Sequence, residues 1–75
     1  MPKQNGILSH LGLNVRNARE KKRFTQEKLA ERATLDPTYI SGIERGVRNP
    51  GIKNVAKIAK ALGLTTAELC KGVDV

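Results

Sequence analysis

The sequence predicts an all-α fold, a compact bundle of five short helices, and three observations point to it. Apolar residues recur at three- and four-residue intervals along most of the chain, with no run of strict alternation that would suit a strand. Good helix-capping residues stand just before these runs, at Ser9, Thr25, Asp36 and Thr65. The composition holds one Phe, one Tyr and no Trp, so the core is built from Leu, Ile, Val and Ala, and small residues let helices approach closely. A chain of 75 residues has room for one such core and one domain.

Taken in order, residues 1–8 carry Pro2 and Gly6 and read as a flexible N-terminal arm ahead of a domain spanning 9–75. Leu11, Val15 and Ala18 form the inward stripe of a first helix over 9–22, capped by Ser9, with Lys21, Lys22 and Arg23 at the negative end of its dipole. Thr25 caps a second helix over about 26–33; Glu27 lies in its positive first turn, and Leu29, Ala30 and Ala33 face inward. Asp36 caps a third helix over about 37–45. It opens on Pro37, whose missing N–H is harmless at a first helical position, and ends at Gly46. Asn49-Pro50-Gly51 then breaks the chain, after which Ile52, Val55, Ile58, Ala59 and Leu62 mark a fourth helix that stops at Gly63. Thr65 and Glu68 have capping-box spacing, which predicts a short fifth helix over about 66–71.

Charge narrows the function. Lys and Arg number 14 against 7 Asp and Glu, a formal net charge of +7, and such a field favours a polyanionic partner, with nucleic acid first and an anionic membrane surface or acidic protein behind it. The single cysteine, Cys70, cannot form an internal disulfide, and no Cys and His spacing resembles a metal site, so neither a metal nor another cofactor is expected. No signal peptide or membrane-spanning run is visible, which points to a cytoplasmic protein. An enzyme is not expected either: no acid-base pair, activated nucleophile or glycine-rich phosphate loop stands at usable spacing. His10 and Cys70 read as an ordinary surface residue and an inert thiol, and the Lys21-Lys22-Arg23 run as a solvated helix end.

The second and third helices, short, each capped and joined by a tight turn at Thr34-Leu35, have the form of a helix-turn-helix. Small Ala30 suits their crossing, and Leu29, Ala33, Leu35, Ile40 and Ile43 supply the inward apolar positions. The stretches Thr25-Gln26-Glu27-Lys28-Leu29-Ala30, Leu35-Asp36-Pro37-Thr38-Tyr39-Ile40-Ser41-Gly42-Ile43-Glu44-Arg45-Gly46 and Ile58-Ala59-Lys60-Ala61-Leu62-Gly63 resemble the Xre-type helix-turn-helix domain. That domain is shared by lambdoid phage repressors, Cro proteins and restriction-modification controller proteins. The resemblance covers roughly residues 11–70, and within it 38–45 is most similar to the controller proteins.

The resemblance implies a phage repressor-like DNA-binding domain whose third helix lies in the major groove. It further implies that Gln26 contacts a backbone phosphate, that Arg48 and Asn49 meet the sugar-phosphate backbone, and that Arg19 and Glu44 form a partly buried structural ion pair. Two departures from the family pattern, Arg23 and Thr34 where glycine is usual, are expected to carry backbone strain. On a helical wheel with Ile40, Ile43 and Asp36 inward, Thr38, Ser41, Gly42 and Arg45 fall on the opposite face, with Tyr39 at its flank. These are the candidate base-facing residues. Direct readout should be thin, because Pro37 and Gly42 offer no side chain to read with; Thr38 and Tyr39 suit a thymine methyl, and Arg45 a guanine edge or a phosphate.

The expected function is that of a sequence-specific, double-stranded-DNA-binding transcriptional regulator, acting as a homodimer on two half-sites. Leu64, Leu69 and Val73 are candidates for the dimer interface, with ordinary packing of the fifth helix as the competing reading. Two alternatives stand beside this function. One is an antitoxin-like or anti-repressor protein-interaction module on the same scaffold, since fold alone does not decide function; the other is a sequence-independent nucleic-acid chaperone.

Overall fold

The computed structural model describes residues 6–74. They form α1 (Gly6–Lys21), α2 (Gln26–Ala33), α3 (Pro37–Glu44), α4 (Ile52–Ala61) and α5 (Thr66–Leu69), and no strand occurs among the described residues.

Local chemistry starts most of these helices where the sequence indicates. The Thr25 hydroxyl accepts from the Lys28 N–H at 2.9 Å and the Asp36 carboxylate from the Thr38 N–H at 2.8 Å, each satisfying a donor that the helix itself leaves open. At α5 the capping box is complete: Glu68 N–H donates to the Thr65 hydroxyl at 3.0 Å, and Thr65 N–H to the Glu68 carboxylate at 2.8 Å.

The start of α1 differs from expectation. The helix begins at Gly6, so Ser9 lies inside it and does not cap it. Ile7 and Leu8 are half-buried in this added turn. Residues 1–5 of the expected arm lie outside the described residues.

Helix ends follow one scheme. After α1, α2, α3 and α4 the chain takes a left-handed residue at Arg23 (φ 61°), Thr34 (φ 60°), Gly46 (φ 77°) and Gly63 (φ 74°). The next N–H then reaches back five residues, Phe24 to Arg19, Leu35 to Ala30, Val47 to Gly42 and Leu64 to Ala59, at 2.8–3.1 Å. Glycine takes this conformation freely; Arg23 and the β-branched Thr34 do so against a steric penalty of roughly 1–2 kcal/mol each. At Thr34 the left-handed residue closes α2, turning its own N–H back to Glu31 and that of Leu35 back to Ala30.

Leu11 and Val15 from α1, Leu29, Ala30 and Ala33 from α2, Ile40 and Ile43 from α3, Val55, Ile58 and Ala59 from α4, with Leu62 and Leu69, make one core. Leu69 is 1% exposed, and Leu64 and Val73 pack half-buried against the same core. Of the candidate interface residues, Leu69 therefore belongs to the internal packing of α5, while Leu64 and Val73 keep part of their surface exposed.

Backbone packs directly on backbone where α1 meets the end of α3. A Cβ at Gly12 would lie 2.3 Å from the Ile43 carbonyl oxygen and 2.6 Å from that of Glu44. Main-chain atoms cannot swing aside as a side chain does, so Gly12→Ala must push α1 and α3 apart. Overpacking of this kind costs about 1–3 kcal/mol, and in a domain of this size each kcal/mol moves Tm by about 4–8 °C. We expect the thermal midpoint of Gly12→Ala to fall by about 4–24 °C; an unchanged melt would show that the close approach does not set the α1–α3 spacing.

Candidate nucleic-acid interface

One carboxylate gathers the elements that hold α3. Glu44, its last residue, keeps a side chain only 4% exposed. Arg19 Nε of α1 donates to its Oε2 at 2.7 Å and Arg19 NH2 to its Oε1 at 3.1 Å, a two-pronged pair. Arg19 NH1 also donates to the Phe24 carbonyl at 2.8 Å, fixing the turn into α2. Gln26, the first residue of α2, donates its amide to Glu44 Oε1 at 3.0 Å. The hydrogen bond to Glu44 holds the Arg19 guanidinium above its ordinary pKa, against the opposing effect of burial and with further help from the charges of Glu44 and Glu20. Arg19 and Glu44 thus serve as scaffold, and Gln26, expected at a phosphate, has its amide N–H₂ group turned in part to this cluster.

Ile40 and Ile43 are fully buried and fix the rotation of α3. Thr38 and Arg45 then stand exposed on its outer side, with Ser41 and Tyr39 half-buried at the flanks. Asp36 is exposed as the cap, not inward as the wheel had it. Arg48 and Asn49, in the loop after α3, are exposed as well. Thr38, Ser41 and Arg45 thus share one side of the third helix by their spacing, and the exposed Arg48 and Asn49 follow at its exit.

Gly42 needs correction. It is buried, not base-facing, because the stem of Arg48 lies on it: a Cβ there would fall 2.3 Å from Arg48 Cγ. The same arginine sets its guanidinium 5.2 Å from the centre of the Tyr39 ring, within range of a cation–π attraction. The Tyr39 hydroxyl in turn accepts from the side-chain amide of Asn54, on α4, at 3.1 Å. Sequence reasoning missed Asn54, since α4 was read only for its apolar stripe and nothing local marks a polar residue that reaches another helix.

No three His, Cys, Asp or Glu side chains among the described residues lie close enough to hold a metal ion. No helix among them is long and apolar enough to cross a membrane. A shallow concavity lies elsewhere, between α1 and α5, with Leu62, Leu64 and Leu69 in its floor and Lys21, Lys22 and Lys71 at its rim.

A family model described as helix-turn-helix matches residues 15–69. The chain is 47% identical over 66 residues to the control protein C.BamHI of Bacillus amyloliquefaciens, covering 87% of this chain and 82% of that protein. Its fold is similar to the restriction-modification controller protein C.AhdI of Aeromonas hydrophila, with a TM-score of 0.81, 40% identity, and coverage of 83% and 94% of the two chains. It is also similar to the controller protein C.Esp1396I, solved as a tetramer with its natural 35-base-pair operator; there the TM-score is 0.83 at 38% identity, over 92% of this chain and 91% of that one.

Removing Arg19 would leave a desolvated carboxylate with only the Gln26 amide, and breaking a buried pair in this way costs about 3–5 kcal/mol. Arg19→Ala should therefore lower Tm by more than about 10 °C, while the exposed Arg16→Ala, which breaks a solvent-facing pair with Glu20 at 3.2 Å, should change it by about 4 °C at most. Equal melts for the two variants would remove the scaffold role of the Arg19–Glu44 pair.

Proposed function

Because this chain belongs to the Xre-type helix-turn-helix family, we propose that it is a cytoplasmic, sequence-specific regulator of transcription that binds double-stranded DNA as a homodimer through α3. The observation that carries this reading is the presentation of α3. Two buried isoleucines and the Glu44 cluster lock the helix, leaving Thr38 and Arg45 free on its outer side beside Arg48 and Asn49. A helix so exposed fits a major groove about 12 Å wide. The operator complex of C.Esp1396I supports the same reading.

Each part then has a task. The N-terminus of α2 presents open N–H groups and a partial positive charge to a phosphate, with Gln26 at its first position. Arg48 and Asn49 neutralise and orient the backbone at the exit of α3. Thr38, Tyr39 and Ser41 face the groove, and Arg45 takes a guanine edge or the adjoining phosphate. Pro37 and Gly42 contribute no polar side chain, so base-edge contacts are few, and much of the discrimination comes from the shape and deformability of the duplex. Symmetric pairing of two chains supplies the affinity that one eight-residue helix lacks.

Selection from a random duplex pool, followed by affinity measurements across salt, tests this. A regulator enriches a two-fold symmetric site with half-sites about 10 base pairs apart, and its affinity falls steeply with salt. Thr38→Ala should weaken the selected site by only about fivefold, with its base preferences kept. No enrichment together with a steep salt slope would identify a nonspecific chaperone. Absence of any duplex binding at low salt would instead favour the protein-interaction module.

A further inference from the structure

Arg48 lies in a loop, where a long side chain ordinarily samples many rotamers and loses that freedom on binding. Here two neighbours restrict it, one of them held in turn by a third residue. Its stem rests on the bare Cα of Gly42, at a separation no side chain at that position would permit. Its guanidinium lies 5.2 Å from the centre of the Tyr39 ring, and the ring is held by the 3.1 Å hydrogen bond from Asn54 to its hydroxyl. Asn54 belongs to α4, which the core fixes through Val55 and Ile58, so the chain of contacts runs from the rigid body outward to the tip of the arginine.

Resting on the DNA-binding reading above, we propose that Asn54 and Gly42 are positioning residues for recognition. Asn54 pins Tyr39, Gly42 seats Arg48, and the two together present a preformed planar guanidinium and an aromatic edge to the duplex. Neither touches DNA itself. Preordering favours the duplex whose sequence-dependent shape carries its backbone to the fixed guanidinium, so the pair acts on discrimination more than on general affinity. A flexible arginine would bind any phosphate nearly as well.

Two measurements test this. In the free protein, NMR should show the Arg48 δ-methylene protons shifted upfield by the Tyr39 ring, a shift reduced in Asn54→Ala and lost in Gly42→Ala. The second is a binding cycle with Tyr39→Phe, which keeps the ring and removes only the hydroxyl. Asn54→Ala and Tyr39→Phe should each weaken the selected duplex by about fivefold, the scale of one lost hydrogen bond. A scrambled duplex should change by less than about twofold, and the double variant should be no worse than either single one. Thermal melts identify any variant that has simply lost its fold, and Tyr39→Phe, with an intact core, keeps the test open if Gly42→Ala does so. No Arg48 ring shift in the wild-type chain, additive losses in the double variant, or equal losses on both duplexes would overturn the proposal. A wild-type chain that fails to discriminate between duplexes would instead overturn the DNA-binding reading, even with the ring shift present.

Discussion

The burial of the Glu44 carboxylate is the constraint around which the rest of the molecule is arranged. An ionised carboxylate out of water is tolerated only when its oxygens are met by donors. Arg19 supplies two from α1 and Gln26 one from α2. Three elements are thereby brought to one point, the C-terminus of α3, beside the core that Leu11, Val15, Leu29 and Ile43 already share. The close approach at Gly12 acts at the same point, setting the distance between α1 and α3 where the ion pair sets their orientation.

This arrangement matters because α3 has little stability of its own. Eight residues in isolation do not form a lasting helix in water, even with a capped start and proline at the first position. Its direction is therefore a property of the whole bundle: the isoleucines fix its rotation, Glu44 fixes its far end and the Asp36 cap fixes its start. What remains outside is a short polar ridge beside a cationic loop on a chain of net charge +7. The strain at Thr34 belongs to the same region, since the left-handed residue there closes α2 just before the Asp36 cap opens α3.

Most of this fold was legible in the sequence, because its elements are set by chemistry within a few residues. Thr25, Asp36 and the Thr65–Glu68 box announce their helices, and Ile40 and Ile43 announce the inward side of α3. The start of α1 was not legible: Ser9 is as good a cap as any, and nothing within a few residues marks a boundary at Gly6. Gly42 was misjudged for a related reason. A wheel places it on the outer face correctly but cannot show that a residue six positions later folds back over it. Asn54 was missed altogether, as its partner lies fifteen residues away on another helix. Local signals thus specify the helices, and contacts between them decide which polar residues are free to meet a ligand.

The most direct test of the central claim, that α3 and its exit loop form the face that meets DNA, is a backbone-amide NMR titration with the duplex recovered by selection. The account predicts that the largest shifts cluster at Thr38, Tyr39, Ser41, Arg45 and Arg48 and at the start of α2 near Gln26, with the α1–α5 concavity around Leu64 and Lys71 little affected. Shifts centred on that concavity, with Thr38 and Arg45 unmoved, would contradict it.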